Sequence, residues 1–467
     1  MRTLRPTLLA LALASAWPAM AQSNAEILAE LKALQAKVAE LEAKLKAKEA
    51  AEARPAAAPA PAAAGMTAEQ SRELSRVTVK TEALEDAVEA QGLKQLKISG
   101  FMEPAWIWNQ RQNRAGFQFL NPVATGGYSY DNSYFGGATL DFQKEIDGGT
   151  KFRLTLTPNR GTGSVIGDGS IVQEASVSVP LGSLQTRFIA GQLPDWSGYE
   201  YQQSTLNKLI THNLLFDYTL PTTYTGAGME YVRGKWWTRW ALANVNTSKR
   251  DASEKAPALA YRVDYSRGEF QGWGFAGLHG KGANLRADEL DKAGKLVHPT
   301  RAGIDTRLDL FEVDAYFIRG AWTWQGQLSY GRQKYAAITA DPVTGDLRDA
   351  RWYGLSTLVA HKFTPRFEGI ARLDYIHNRK NGGGLLTYTV ADDYNGLGPD
   401  PTGGSSPERG ANRMALSMGL NYLYNLNTTF KAELRLDRAD LPVFMDIKSG
   451  GYRKGNTLLG TSVVVSF

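Results

Sequence analysis

The chain has 467 residues, no cysteine and a formal net charge of +6, with 47 glycines and a mean hydropathy of −0.32. The absence of cysteine excludes disulfides, thiolate metal sites and cysteine nucleophiles. The charge bias is weak for so large a surface and does not indicate a nucleic-acid partner, which would require basic residues clustered on one face.

Residues 1–21 have the pattern of a secretory signal peptide. Arg2 and Arg5 form its positive start, and an apolar run follows over residues 8–14. Residues 19–21 (Ala-Met-Ala) then provide a small-x-small cleavage site. A retained membrane anchor is the alternative, but the apolar run is short for one. No later segment approaches the ~20 apolar residues of a spanning helix.

Residues 22–49 are predicted to form a periplasmic coiled coil. Apolar residues recur there at alternating spacings of four and three: Ile27, Leu31, Leu34, Val38, Leu41 and Leu45. Such a stripe is buried only against another helix, which favours parallel self-association, with a trimer favoured over other oligomers. The alternative is a single helix lying on its own barrel. An Ala/Pro linker is predicted over 50–66 and a second short coiled-coil helix over 67–92.

From residue 93 to 467 the apolar periodicity changes from 3.5 to 2, which predicts an all-β domain. In residues 430–437, for example, apolar and charged side chains alternate without exception. About sixteen strands are predicted, of which those at 224–233 and 272–282 have the weakest pattern. They lie near 96–110, 134–146, 150–160, 171–180, 184–193, 224–233, 236–246, 258–268, 272–282, 309–319, 321–336, 350–362, 366–379, 411–424, 428–438 and 456–467. Fourteen or eighteen strands are the alternatives, because residues 380–410 could contain another pair.

The connections between these segments alternate between short turns and long polar loops. Such an alternation is typical of a transmembrane antiparallel up-and-down β-barrel with both termini on one side. The long loops are predicted near 111–133, 161–170, 194–223, 247–257, 283–308, 337–349, 380–410 and 439–455. A soluble sandwich or propeller is the alternative, although neither fold requires this alternation.

Aromatic residues near the predicted strand ends suggest girdles at a membrane boundary. They are Trp106, Trp108, Trp236, Trp237, Trp240, Trp322, Trp324, Trp352, Tyr353, Tyr422 and Tyr424. Core packing is the alternative for any single one of them. The last strand ends at Phe467, a pattern that resembles the C-termini of bacterial outer-membrane proteins. Together these features predict a barrel in the bacterial outer membrane, in contact with lipid and lipopolysaccharide, with the coiled coil in the periplasm.

Sixteen strands enclose an aqueous channel, so the inward residues are candidates for function. Both signs of charge occur among them, which could orient a polar solute and select weakly by charge. The alternative is that most of these charges pair across strands and merely solvate the wall. The inward set is Glu103, Asp141, Arg153, Glu174, Arg187, Glu230, Arg239, Arg262, Asp264, Glu312, Asp314, Glu368, Arg372, Asp374, Lys431, Glu433, Arg435 and Asp437.

The third long loop, residues 194–223, is predicted to fold inward and narrow the pore. It has a predicted helical middle over 201–211 and an apolar stretch at 213–216 that requires a place to be buried. The alternative is a structured lid without solute contact. The candidate constriction residues are Asp195, Trp196, Glu200, Tyr201, Lys208, His212 and Asp217.

The motifs of common enzymes are missing from the sequence. It contains no G-x-S-x-G, H-E-x-x-H or Walker loop, and its five histidines show no ligand spacing. No catalytic residue, metal site or cofactor is therefore predicted. A barrel-resident hydrolase, whose triad need not be local in sequence, is an alternative.

Three segments carry a resemblance to a known family. Residues 98–103 (ISGFME), 212–218 (HNLLFDY) and 225–228 (TGAG) resemble the OmpL-like β-barrel porins of proteobacteria. The order of signal peptide, coiled coil and barrel is also similar to trimeric dicarboxylate-type porins. The resemblance covers roughly residues 96–467 and implies a passive channel without naming its solute. The mixed lumen charges depart from a strongly basic, anion-selective lining.

These observations favour a channel for passive diffusion of small polar or charged solutes. The alternative from another class is a structural anchor that tethers the outer membrane to peptidoglycan through residues 22–92. Charged residues on the inner face of many strands favour the channel.

Overall fold

A computed structural model describes fourteen stretches of the chain: residues 76–77, 79–80, 95–120, 135–158, 170–245, 257–283, 289–290, 296–298, 305–337, 343–344, 348–378, 397, 400–406 and 409–467. The predicted signal peptide, first coiled coil and linker lie outside them, as does most of the second helix. The chain divides into two compact units, residues 1–87 and 88–467. Within the described stretches, no helix is both long and apolar enough to cross a membrane.

The second unit is built from β-strands. Their bounds are β1 Leu96–Met102, β2 Ala105–Asn109, β3 Arg114–Gln118, β4 Ala138–Ile146, β5 Thr150–Leu156, β6 Val172–Ser183, β7 Thr186–Pro194, β8 Thr223–Arg233, β9 Trp236–Val245, β10 Ala258–Ser266, β11 Gln271–Ala283, β12 Glu289–Leu290, β13 Leu296–His298, β14 Asp305–Arg319, β15 Trp322–Gln333, β16 Ala350–Lys362, β17 Phe367–His377, β18 Arg413–Asn425, β19 Thr428–Ala439, β20 Phe444–Asp446, β21 Gly451–Arg453 and β22 Gly455–Ser466.

These strands form a closed antiparallel barrel of sixteen wall strands. β1 and β2 together form the first wall strand, and β4–β11, β14–β19 and β22 form the other fifteen. The barrel closes where β22 pairs with β1 and β2, with Phe101 opposite Ser466 and Ala105 opposite Ser462. Closure leaves no open sheet edge. The prediction of a sixteen-stranded barrel is confirmed, including the two weak segments, which are β8 and β11.

The two faces of the wall differ as the alternation predicts. Along β16, Gly354 and Ser356 are buried on the inner face, whereas Tyr353 and Leu355 are exposed on the outer face. Trp352 has the inner parity and is 0% exposed, so its assignment to an outer aromatic girdle is wrong. Its indole fits inside because Gly331, directly opposite on β15, has no side chain to oppose it.

Short strands inside the long loops were not predicted. β3 folds back on β2 and extends the wall beyond β4, while β12–β13 and β20–β21 form two small hairpins. Each is five residues or shorter, which is too short to show a clear period of two. Phe444 of β20 is fully buried in a cluster with Ile107 and Ile210. The last loop therefore packs on residues of the barrel interior.

Candidate functional site

The third long loop, called L3 and comprising residues 195–222, connects β7 to β8. It contains a 3-10 turn at Ser204–Leu206 and a five-residue helix, α1, at Leu214–Tyr218. The helix begins after Asn213, whose side chain accepts a hydrogen bond from the Phe216 backbone at 2.9 Å. The predicted helical middle at 201–211 is thus wrong in position. The apolar stretch forms the helix, because its leucines gain a buried environment there.

L3 is bound to the inner face of β19 and β17. The Glu433 carboxylate accepts hydrogen bonds from the backbone N–H groups of Ile210 and Thr211 at 2.7 and 2.8 Å, and from the Thr211 hydroxyl at 2.5 Å. The Arg372 guanidinium donates to the carbonyls of Thr211 and His212 at 2.7 and 2.8 Å. Because Glu433 and Arg372 lie on the buried inner face of their strands, the contacts place L3 inside the barrel.

Further contacts extend this attachment from β14 to β18. The Gly198 N–H donates to the Glu312 carboxylate of β14. The Tyr199 hydroxyl lies 2.6 Å from the Ser356 hydroxyl of β16, and Asn421 of β18 donates to the Lys208 carbonyl at 2.8 Å. L3 is therefore anchored mainly along one side of the barrel, which we call the β14–β19 side. It has two further contacts elsewhere: Gln173 of β6 donates to the Gln202 side chain at 2.6 Å, and Arg262 of β10 donates to the Trp196 carbonyl at 2.9 Å.

Apolar residues of L3 are buried on that same side. Leu214 and Tyr218 join a core cluster with Trp352 and Ile376, whereas Leu209 packs in a smaller cluster with residues of β16 and β17. The barrel interior thus provides the buried environment that the apolar stretch requires. Rotation of the helix out of the barrel would expose this surface to water.

Ion pairs link the charged groups of this side. Arg372 contacts Glu200 at 2.8 Å and Asp374 at 3.0 Å, all three being buried. Asp437 lies 2.8 Å from Arg413 and 3.2 Å from Arg435. Burial raises the pKa of Glu200 to about 7, opposed by the positive charge of Arg372. Most charges on the β14–β19 side therefore serve to hold L3.

Two adjoining cavities lie on the opposite side, along β1 and β4–β9. The first, about 530 Å³, lies between L3 and the wall and is bordered by Asp141, Glu200 and Tyr201. The second, about 710 Å³, extends towards the short turn after β4 and is bordered by Lys151 and Trp237. Both are lined by Gln143, Arg153, Glu174, Pro194, Trp196 and Arg239. We call the two cavities together the passage.

Charges of both signs line the passage. Arg153 lies 2.9 Å from Asp141 and 3.3 Å from Glu174, so one guanidinium serves two carboxylates. Arg239 is held differently, since its Cζ lies 5.0 Å from the ring centroid of Trp196 and 4.5 Å from that of Trp237. These distances are within the range of cation–π interactions.

L3 contributes one carboxylate to the passage without a cation beside it. Asp195 accepts hydrogen bonds from the Tyr224 hydroxyl at 2.6 Å and the Ser197 hydroxyl at 2.9 Å. Burial raises its pKa to about 6, although these hydrogen bonds act in the opposite direction. This part of the passage should therefore lose negative charge as the pH falls through about 6.

A family model described as "Protein of unknown function (DUF3138)" matches residues 4–467. The chain belongs to the DUF3138 family. No curated protein matches its sequence.

Solved structures with a similar fold are outer-membrane proteins. The trimer form of OmpT from Vibrio cholerae is 10% identical with a TM-score of 0.50, over 80% of this chain and 99% of that one. The channel DcaP of Acinetobacter baumannii is 11% identical with a TM-score of 0.50, over 80% of this chain and 97% of that one. These matches show that this DUF3138 protein has a porin-like barrel, as the resemblance implied.

The predicted constriction residues of L3 fall into two groups in this DUF3138 protein. Asp195, Trp196, Glu200 and Tyr201 border the passage. The other three lie on the anchored side: Lys208 pairs with Glu368 at 2.6 Å, His212 is stacked on Phe216, and Asp217 lies 3.8 Å from Arg435. Burial lowers the pKa of His212 to about 3, so it is neutral at physiological pH.

The predicted lumen residues divide in the same way. Five of them border the first cavity, and Glu230 borders the second. The five are Asp141, Arg153, Glu174, Arg239 and Arg262. Arg262 is paired with Asp264 and Asp314, each at 2.7 Å. The remaining residues make contacts within the wall or with L3. They are Glu103 with Ser462, Arg187 with Ser178, Glu312 with Gly198, Glu368 with Lys208, Lys431 with Ser204, and the Arg372, Asp374, Glu433, Arg435 and Asp437 network described above.

Two residues of the site were missed or misassigned from the sequence. Trp237 was assigned to the outer girdle, but it shares the inner parity of Arg239 and borders the passage, so that assignment is wrong. Arg413 is fully buried and donates to the Tyr218 hydroxyl of α1 at 2.7 Å. The alternation of their own strands, β9 and β18, places both side chains inside.

Proposed function

We propose that this DUF3138 protein is an outer-membrane, porin-like channel for passive diffusion of small polar or charged solutes. Solutes would cross between L3 and the β1–β9 side. The observation that carries the proposal is the asymmetry of the interior. L3 is bonded along β14–β19, whereas two adjoining cavities lined by charged groups remain on the other side.

The lining of the passage is suited to polar solutes. Its guanidinium and carboxylate groups lie in a confined space where electrostatic interactions are stronger than in bulk water. Carboxylates and cations that lie close together disfavour the entry of apolar molecules. Because both signs of charge are present, the channel would select only modestly between anions and cations. L3 would set the size limit, because its residues Asp195, Trp196 and Tyr201 line the first cavity together with Arg153 of the wall.

The proposal includes several features that follow from the sequence. They are export by the signal peptide, contact of the outer wall with lipid and lipopolysaccharide, and a trimer organised by a periplasmic coiled coil. A closer relationship to the OmpL-like porins also belongs to the proposal. The exposed apolar side chains of the outer face, such as Leu328 and Leu420, support immersion of the wall in lipid.

The test is the single-channel conductance of the purified full-length protein in a planar bilayer under a salt gradient. Deletion of residues 197–217 should enlarge the current steps, because it removes the loop that narrows the passage. Arg153→Gln should shift the reversal potential towards cations. Arg409→Gln is the matched control, since it removes the same charge from an exposed pair with Asp440 in the outer loops.

A folded, heat-modifiable protein that shows no conductance would refute the channel. The heptads and linker of residues 22–92 would then favour the second candidate, a structural anchor that binds peptidoglycan. A pull-down of the full-length protein with purified peptidoglycan, compared with a variant that lacks residues 22–92, tests this candidate directly.

A further inference from the structure

We propose that the passage contains a binding site for organic monocarboxylates, in which Arg239 binds the carboxylate and Trp237 covers the apolar part. The inference rests on the proposed function, because it assumes that solutes reach the passage. Its basis is the surroundings of Arg239, which differ from those of the other arginines inside the barrel.

Arg239 makes no hydrogen bond or ion pair with any described residue, and its Nε is buried without a partner. By contrast, Arg153, Arg262 and Arg372 each contact two carboxylates at 3.3 Å or less. Glu230 is opposite Arg239 in the β8–β9 register, but the two do not form an ion pair. An arginine in a partly enclosed space without an acceptor is costly unless a ligand supplies one.

The rings beside Arg239 determine which ligand suits it. The Cζ atom of Arg239 lies over the rings of Trp196 and Trp237, and the N–H groups of this guanidinium donate to no described acceptor. A guanidinium edge presents paired N–H donors that match the two oxygens of a carboxylate. The site therefore binds a planar oxyanion in preference to a spherical ion.

The neighbouring groups limit the charge of the ligand and favour an apolar body. Glu174 and Glu230 border the same cavity and would repel a second negative charge, which favours a monoanion. Trp237 is 38% exposed and offers its ring to the apolar part of the ligand. Aromatic rings gain from offset or edge contacts, so an aromatic acid such as benzoate is a suitable probe.

The experiment measures benzoate binding to the detergent-solubilised full-length protein by saturation-transfer NMR, with benzamide as the neutral analogue of the same shape. We expect benzamide to bind at least about tenfold more weakly. Arg239→Gln should weaken benzoate binding by roughly ten- to a hundredfold, and Arg239→Lys by less, because lysine keeps the charge but not the paired donors. Benzoate should also block the single-channel current of the unmodified protein.

Lys97→Gln is the matched control, because Lys97 borders the second cavity, is exposed and makes no cation–π contact with a described residue. It should change benzoate binding by less than about twofold. Equal binding of benzoate and benzamide, unchanged binding in Arg239→Gln, or an equal loss in Lys97→Gln would overturn the inference. If Arg239→Gln does not fold, Trp237→Leu should still reduce the preference for benzoate over acetate.

The NMR measurement separates this inference from the proposed function. Binding that depends on Arg239 in a protein without conductance would support the site and refute the channel. Conductance without benzoate binding would support the channel and refute the site.

Discussion

Glu433 holds L3 through three hydrogen bonds, so a conservative change at this residue tests whether the loop is fixed by its contacts with β19. Glu433→Gln keeps the shape of the side chain and removes its charge. The single side-chain oxygen of glutamine can still accept hydrogen bonds from the backbone N–H groups of Ile210 and Thr211. The glutamine NH2 group then faces the Thr211 hydroxyl, which already accepts from Arg372 at 2.9 Å.

The expected cost follows from the number and type of these bonds. A hydrogen bond to a charged group contributes roughly 1.5–3 kcal/mol, about twice the value for a neutral pair. Two bonds weakened by half and one lost give a cost of roughly 3–6 kcal/mol for the docked loop. The population of undocked L3 should then rise by roughly 150- to 20,000-fold.

Single-channel recordings measure this population as the fraction of time spent at a higher conductance level. Glu368→Gln is the control, because Glu368 contacts L3 only through Lys208, at a partly exposed site where the loss should be about 1 kcal/mol or less. Heat modifiability on gels shows that the barrel itself remains folded. An unchanged open fraction in Glu433→Gln would refute the view that these contacts position L3.

Three further predictions concern the charge of the passage, the accessibility of L3 residues and the closure of the barrel. Because burial raises the pKa values of Asp195 and Glu200 to about 6 and about 7, both carboxylates become neutral as pH falls from about 8 to about 5. The reversal potential should therefore shift towards anions on acidification, and Asp195→Asn should remove part of this shift. Since the chain has no cysteine, a single introduced thiol reports the accessibility of its position. Tyr201→Cys, at a position 54% exposed, should react with a charged thiol reagent, and the channel current should fall. Leu209→Cys, at a buried position, should not react. Deletion of Phe467 removes two backbone hydrogen bonds of 3.1 Å to the first strand, which should lower the free energy of unfolding by roughly 1–3 kcal/mol. The unfolding temperature on heat-modifiability gels should therefore fall.

The barrel wall could be predicted from the sequence because each wall residue faces either an apolar or a polar environment. The period of two follows from that constraint alone, and the bounds of β16, residues 350–362, agree with the prediction. β11 showed a weak pattern because glycines occupy several of its positions. Gly277, for example, lies beneath the ring of Tyr261 on β10, which occupies the space that a side chain at position 277 would fill. The apolar surface there comes from the neighbouring strand, so it does not appear in the sequence of β11.

The arrangement of L3 could be predicted only in part. Its inward fold followed from its apolar residues, but its partners are remote in sequence: Glu433 lies 223 residues from Ile210. No local pattern indicates which inward charges are used to hold L3 and which remain available. Trp237 is a different case, because the alternation of its own strand, applied consistently, places it inside with Arg239.

The side on which the passage lies has a physical explanation in the partners of the inward side chains. The inner face of β17–β19 carries long residues, such as Arg372, Glu433 and Arg435, which reach L3 and bond to it. The inner face of β4–β6 also carries long charged side chains, but Arg153 pairs there with Asp141 and Glu174 of the wall itself, at 2.9 and 3.3 Å. L3 is therefore held on the side whose charged side chains bond to it, and the space remains opposite. The same comparison of partners should indicate the side on which the passage lies in related barrels.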